Sequence, residues 1–310
     1  MGMPYLFTTV FMMDKKDAPL VSVLMTAYNR QNFIAEAIDS VLASTFTDFE
    51  LIIVDDGSSD DTVRIAREFE RKDRRVKVFE NGQNLGDYPN RNQAAAYATG
   101  KYLKYVDSDD TIFPDGLRYC VLSMAENPSA EWGIIYPAKI PRQTLMSPAE
   151  SIPYHFFTFP FLHCGPGGTI LKRDFFFRAG RFPVLYGPAN DMYFNLQAAA
   201  KGNVLLLQDI FYGYRVHPMQ EQTNQFSYLY NYSKYLKDAL ENLELPLTSK
   251  QINWLQLKRQ RRFAVNISRY FLKTWNIGKT RMAIEKADFS WRDYFTGIFH
   301  LAAKPSAGNQ

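Results

Sequence analysis

Phe49-Glu50-Leu51-Ile52-Ile53-Val54-Asp55-Asp56-Gly57-Ser58 decides how the fold is read. A mainly apolar run of strand length indicates a strand covered on both faces, and this one stops abruptly at two carboxylates and turn formers. The same design recurs on either side. Leu20 to Thr26 is a second such run, leading into Ala27-Tyr28-Asn29-Arg30, and Lys101 to Val106 is another, leading into Asp107-Ser108-Asp109-Asp110. Helical patterns separate them. Ile34, Ile38, Val41 and Leu42 share one face of a helix predicted over Asn32 to Ala43. Ser58 with Asp61 reads as a capping box that opens a helix to about Arg71. Arg75 to Glu80 is a shorter strand, and Asn90 to Thr99 an Ala-rich helix for which Gly100 is the expected stop. This alternation predicts an α/β fold, a mostly parallel sheet flanked by helices and joined by right-handed crossovers.

Ligands of such sheets bind beyond the carboxyl ends of the strands. The three polar clusters are far apart in sequence but are expected to meet along one rim. Asp55, Asp56, Asp107 and Asp109 then stand together, with Asp110 beside them. Carboxylates gathered in this way repel one another and call for a cation. Hard divalent ions take oxygen ligands, and Mg²⁺ typically uses one or two carboxylates plus the phosphates of a substrate. A lone Asp-x-Asp also serves turns and caps. Its place at the end of a buried strand, facing a second carboxylate pair, points to a Mn²⁺ or Mg²⁺ site.

Three motifs carry a resemblance: Val21 to Asn29, Glu50 to Asp60 and Gly100 to Asp110, with Asn84-Leu85-Gly86 and Arg91-Asn92 between them. In order and spacing they resemble the inverting family 2 glycosyltransferases of the GT-A fold, over about residues 19–215. The resemblance implies a metal-dependent enzyme that moves a sugar from a nucleotide-sugar donor, a UDP-sugar for preference, to a hydroxyl acceptor. It implies that Thr26, Tyr28, Arg30, Asp55, Asp56, Arg91 and Asp107 bind the donor nucleotide. Asp109 is then the metal ligand, with Asp107 and His217 as further candidates, and Asp110, Arg215 and His217 are candidate contacts to the donor or its diphosphate. The residue types agree in part, since a tyrosine ring offers a stacking face and a guanidinium fork suits phosphate. Surface ion pairing is the alternative for Arg30 and Arg91.

Glycosyl transfer also needs a base for the acceptor hydroxyl. The family places a carboxylate, often as Glu-Asp, at the start of a helix in the second half. Gly187-Pro188-Ala189-Asn190-Asp191-Met192 is the matching segment; it departs from the pattern at Asn190 but keeps Asp191, the expected catalytic base. A helix-capping role is the alternative for Asp191.

The expected organisation is a tail over 1–18, a GT-A catalytic domain over 19–225 and a basic, aromatic helical extension over 226–310. Within the domain the donor-binding half covers about 19–115 and the acceptor half about 116–225. The 310-residue chain has a formal net charge of +4, yet residues 250–304 carry twelve Lys/Arg against three Asp/Glu. Leu255, Phe263, Ile267 and Phe271 are spaced to share a helix face there. The segment reads as an extension packed on the domain or as a surface for anionic membrane. A saccharide or lipid-linked saccharide acceptor, as in polysaccharide, lipopolysaccharide or capsule assembly, would suit the second. Two cysteines imply no disulfide framework and a reducing, cytoplasmic setting, peripheral to the inner face of the cell membrane if the tail binds it. The apolar stretch Met3 to Met13 falls short of the roughly 20 residues of a spanning helix, so neither signal peptide nor anchor is expected. No nucleic-acid motif is present. A nucleotidyltransferase would show a Gly-rich loop after the first strand, which Thr26 to Arg30 lacks. A non-catalytic sugar-nucleotide binder remains the other alternative, against which Asp107, Asp109 and Asp191 stand.

Overall fold

The structure, a computed structural model, describes residues 18–136, 143–208, 211–216, 225–299 and 304–305. The tail over 1–17 and His217 lie outside the described residues. The first half runs β1 (Val21–Ala27), α1 (Ile34–Leu42), β2 (Phe49–Asp55), α2 (Thr62–Lys72), β3 (Val76–Glu80), α3 (Asp87–Tyr97), β4 (Tyr102–Tyr105), β5 (Thr111–Ile112) and α4 (Gly116–Glu126). Then come β6 (Trp132–Ile135), β7 (Thr144–Met146), α5 (Pro148–Phe157), β8 (Thr169–Lys172), α6 (Arg173–Ala179), α7 (Asn190–Lys201), β9 (Val204–Leu207) and β10 (Tyr212–Gly213). Four helices close the described chain: α8 (Gln225–Asn242), α9 (Ser249–Thr274), α10 (Ile277–Lys286) and α11 (Trp291–Phe299).

Eight strands form one sheet in the order β3-β2-β1-β4-β8-β6-β9-β7, while β10 and β5 pair separately. All seven residues of β1 and of β2 are buried. The reason is a core on each face. Val21, Val23 and Met25 alternate toward α1 and α4, whereas Leu24, Ile52 and Val54 face the core that holds α3, α6 and α7. Pairing is parallel from β3 through β2 and β1 to β4, and again between β6 and β9. It turns antiparallel where β8 enters between β4 and β6, and at the β7 edge. The sheet is therefore more mixed than strand–helix alternation alone implies.

Two local expectations are corrected. Ser58 does not cap α2; its hydroxyl donates to Asp55 at 2.5 Å. Gly100 does not end α3 in a left-handed turn, since Ala98 already leaves the helix in an extended conformation. Gly100 is needed for close approach: a Cβ there would lie 2.6 Å from the Ser22 backbone nitrogen. Its own N–H donates to the Ser22 hydroxyl at 2.9 Å.

The C-terminal helices divide their packing. Tyr235, Leu236 and Ala239 of α8 and Leu255 of α9 join the core on the sheet. Phe263 and Ile267 of α9, with Ala283, Ala287 and Phe289, make a small core of their own. Phe271, expected on the same buried face, is only half-buried and packs its ring on Trp275.

Candidate functional site

The rim forms because the loops after β1 and β2 bind each other. Asp56 N–H donates to the Ala27 carbonyl at 2.8 Å, and Asn29 N–H to the Ser58 hydroxyl at 2.8 Å. Asn29 takes a positive φ of 52°, which its short polar side chain tolerates, and its Oδ1 accepts the Ser59 N–H at 2.9 Å. The Thr62 hydroxyl accepts the Arg30 N–H at 2.7 Å. Between these anchors Tyr28 stands 46% exposed in the mouth of a cleft of about 680 Å³, so it is not a packing residue. Thr26 lines the same cleft.

Asp55 and Asp56 have separate tasks. Asp55 is buried and accepts the Gly57 and Ser58 N–H groups and the Ser58 hydroxyl, which makes the turn. It does not reach the cleft, and burial pushes its carboxyl above the usual range. The donor contact expected of it is thus replaced by a positioning role. Asp56 does line the cleft. Its carboxylate accepts Asn81 Nδ2, the Leu85 N–H and the Gly86 N–H at 2.8–2.9 Å, fixing the Asn84-Leu85-Gly86 loop. A carboxylate has about four acceptor sites, so capacity for one further donor is left.

The loop after β4 brings Asp107, Asp109 and Asp110 together, with one ligand oxygen from each within 4.8 Å of the others. Arg91 from α3 bonds Asp107 at 2.6 Å, and Arg30 Nε bonds Asp109 at 3.0 Å. Both arginines line the cleft, and both are already paired there. Burial, with Asp107 and Asp109 adding to it against the Arg215 N–H, pushes the Asp110 carboxyl up to about 7. Crowding of this kind fits a hard divalent cation. Asp107, Asp109 and Asp110 are the residues that would hold it.

Arg215 is a staple behind this loop. It donates to the carbonyls of Asp109, Asp110 and Phe33, and bonds Glu36 at 2.5 Å. It does not line the cleft, which revises the diphosphate contact expected of it.

In the same cleft, Asp191 sits in the first turn of α7, after the residue that caps that helix, so the capping alternative fails. Its Oδ1 accepts the Met192 N–H at 2.7 Å. Asn190 holds the preceding turn, accepting from Tyr186 N–H and donating to the Gly187 carbonyl. Burial pushes Asp191 up to about 7; Met192 and Arg91 oppose the shift and Asp87 adds to it. Gly165 faces this carboxylate, with its Cβ position 3.9 Å from Oδ2.

Several residues of the site were not foreseen. Asp87 opens α3 in the cleft and pairs with Arg91 at 2.8 Å; its place just after Asn84-Leu85-Gly86 was the available signal. Lys104 is wholly buried under the rim, donating to the carbonyls of Tyr105 and Gly167 at 2.6 and 2.5 Å. Burial holds its ammonium below the usual range. A lysine inside an otherwise apolar strand marked it in the sequence. Ser227 and Tyr228 of α8 also line the cleft, so the boundary at 225 does not separate the site from the extension.

Residues 22–185 match the family described as glycosyl transferase family 2. The chain belongs to that family. Among its relatives, an uncharacterized glycosyltransferase of Haemophilus influenzae is 34% identical over 112 residues, 36% of this chain and 35% of the relative. Chondroitin synthase of Escherichia coli is 40% identical over 106 residues, 34% of this chain and 15% of the synthase. An Escherichia coli UDP-Glc:alpha-D-GlcNAc-diphosphoundecaprenol beta-1,3-glucosyltransferase is 37% identical over 111 residues, 36% of this chain and 43% of the relative. Each match spans under half of the relative's length. The fold is similar to that of TarS 1–349 from S. aureus in complex with UDP-GlcNAc, with a TM-score of 0.64 and 21% identity over 86% of this chain and 79% of that one. It is likewise similar to a mannosyltransferase of Pyrobaculum calidifontis in complex with GDP-Man and Mn²⁺, with a TM-score of 0.61 and 16% identity over 91% and 84%. Within the family 2 chain, then, the sheet is that of the GT-A fold.

Proposed function

We propose that the protein is a metal-dependent, inverting glycosyltransferase that uses a UDP-sugar, with Asp191 as the base. What carries this is one cleft that Asp191 lines together with Tyr28, Asp56, Asp107 and Asp109. Tyr28 and Thr26 would receive the base and ribose, Asp56 a ring N–H, and Asp107 the ribose or sugar. The acceptor oxygen forms its bond to the anomeric carbon as the bond to the diphosphate breaks. The electron pair leaves with the nucleoside diphosphate, and the hydroxyl proton passes to Asp191. Charge accumulating on the departing diphosphate is what Mn²⁺ or Mg²⁺ at Asp107, Asp109 and Asp110 would offset when bound. Burial of Asp191 raises its proton affinity toward neutral pH, which improves a base that must still be ionised to act.

The acceptor is proposed to be a saccharide at a membrane surface, in polysaccharide or envelope assembly, reached from the cytoplasmic side. The support is on α9 to α11, where Trp275, Trp291 and Phe299 are 70–75% exposed amid the basic residues. No helix among the described residues is long and apolar enough to cross a membrane. Titration with UDP, with and without Mn²⁺ or Mg²⁺, followed by a screen of UDP-sugars for slow hydrolysis, tests the reading. Metal-dependent UDP binding and hydrolysis of one sugar nucleotide are expected; UDP binding indifferent to metal and to Asp109→Ala would remove the metal site.

A further inference from the structure

A second cavity of about 530 Å³ lies between α5, α8 and α9. Lys258, Arg259 and Arg262 of α9 line it together with His155 and His163, and no Asp or Glu is in its wall among the described residues. Arg262 is one turn on from both Lys258 and Arg259, at i, i+4 and i, i+3, which brings the charges together, and among the described residues none of the three is in an ion pair. Arg259 is nine-tenths buried; its Nη1 donates to the Ser233 hydroxyl at 3.0 Å, and its Nε has no hydrogen-bond partner. A buried donor left over on a guanidinium is costly unless something completes it. The Arg262 guanidinium carbon lies over the Tyr232 ring, 4.2 Å from its centroid, a cation–π contact that helps place its fork.

The histidines add donors rather than charge. Burial, with His163 and Lys258 adding to it, holds His155 well below its ordinary range, and burial with Arg262 brings His163 down to about 4. Partial desolvation, with repulsion from Lys304 and Arg262, holds Lys258 down as well. Carboxylates that act on Arg259, such as Asp293 and Glu241, lie outside the lining. Tyr228 lines both this cavity and the donor cleft, so the two share a wall.

Resting on the glycosyltransferase reading, we infer that this cavity is an anion site that holds a phosphoryl group carried by the acceptor. Three cations exceed what one carboxylate neutralises, and guanidinium forks match phosphate oxygens two at a time. A phosphate-bearing acceptor anchored here would pass along Tyr228 toward Asp191.

Calorimetric titration of the full chain, first saturated with UDP and Mg²⁺ to fill the donor cleft, tests this. The probes are inorganic phosphate and geranyl phosphate. Saturable binding that weakens at least tenfold in a Lys258→Gln/Arg262→Gln double variant, with UDP affinity unchanged, is expected. Tighter binding of geranyl phosphate would assign a lipid-borne acceptor, and equal binding a phosphorylated saccharide. Both substituted side chains are exposed, so the fold should tolerate the change. Absence of saturable binding, or equal binding by the double variant, overturns the site. A wild type that binds phosphate in this way but not UDP would remove the donor reading instead.

Discussion

Along the acidic rim, Asp107 and Asp109 each have a guanidinium in contact, while on α9 Lys258 and Arg262 face a cavity with no carboxylate among the described residues. The difference shows in how the two regions are held. Acidic loops of the rim are cross-braced by Arg30, Arg91 and the Arg215 staple, and Lys104 lies beneath them. The α9 cations have aromatic neighbours in place of counterions. One region is assembled before any ligand arrives; the other is left with charge to be answered.

The largest effect that would sharpen this contrast is at Asp191, the proposed base. Asp191→Asn should lower transfer by roughly 10²–10⁴ while leaving UDP binding intact. In the wild type, turnover should rise with pH through an apparent pKa near 7, and the variant should lose that limb. A fully active variant removes Asp191 from the chemistry. Next comes the rim itself: Asp109→Ala should weaken metal-dependent UDP binding by about tenfold or more, measured by titration with and without Mn²⁺.

Three stability changes follow. Lys104→Met strands the Tyr105 and Gly167 carbonyls and should cost about 1–3 kcal/mol in a denaturant melt. Asp191→Asn should stabilise the fold, on the order of 1–3 kcal/mol at pH 8. The sign follows from the raised carboxyl: between about pH 4 and 7 the native state holds a proton that the unfolded chain has released, so stability falls as pH rises through that window. Replacement by Asn removes the loss, and equal melting of both proteins at pH 8 would contradict it. The smallest stability effect belongs to the tail. Trp291→Ala with Phe299→Ala should change stability by less than about 0.5 kcal/mol, because both side chains are exposed. The same pair should abolish sedimentation with phosphatidylglycerol vesicles, and undiminished sedimentation would count against membrane contact.

Legibility in the sequence followed burial. β1, β2 and β4 could be read because strands covered on both faces are written as continuous apolar runs, and the carboxylates that end them mark the rim. The start of α3 was missed by three residues because Pro89 lies within its first turn, where proline is tolerated but resembles a break. The pairing of the mixed half was not legible, since β6, β8 and β9 are four residues each and their neighbours in the sheet are distant in sequence. Asp55 and Arg215 had the right chemistry for a ligand, but only coordinates show their polar atoms engaged by the turn and the loop. The α9 cavity joins His155 of α5 to cations a hundred residues on, through packing that no local pattern encodes.

Gly100 carries a practical consequence. Arg91 precedes it on α3 and Asp107 follows it past β4, and the two meet at the rim, while Gly100 itself rests on the backbone of Val21 and Ser22 at the opposite end of the sheet. The missing side chain thus sets how far the α3–β4 unit slides along β1. In a chimera that exchanges rim loops between relatives, the transferable cassette should begin at α3 and run unbroken through Asp110. A splice between Gly100 and the rim would join two halves calibrated against different first strands.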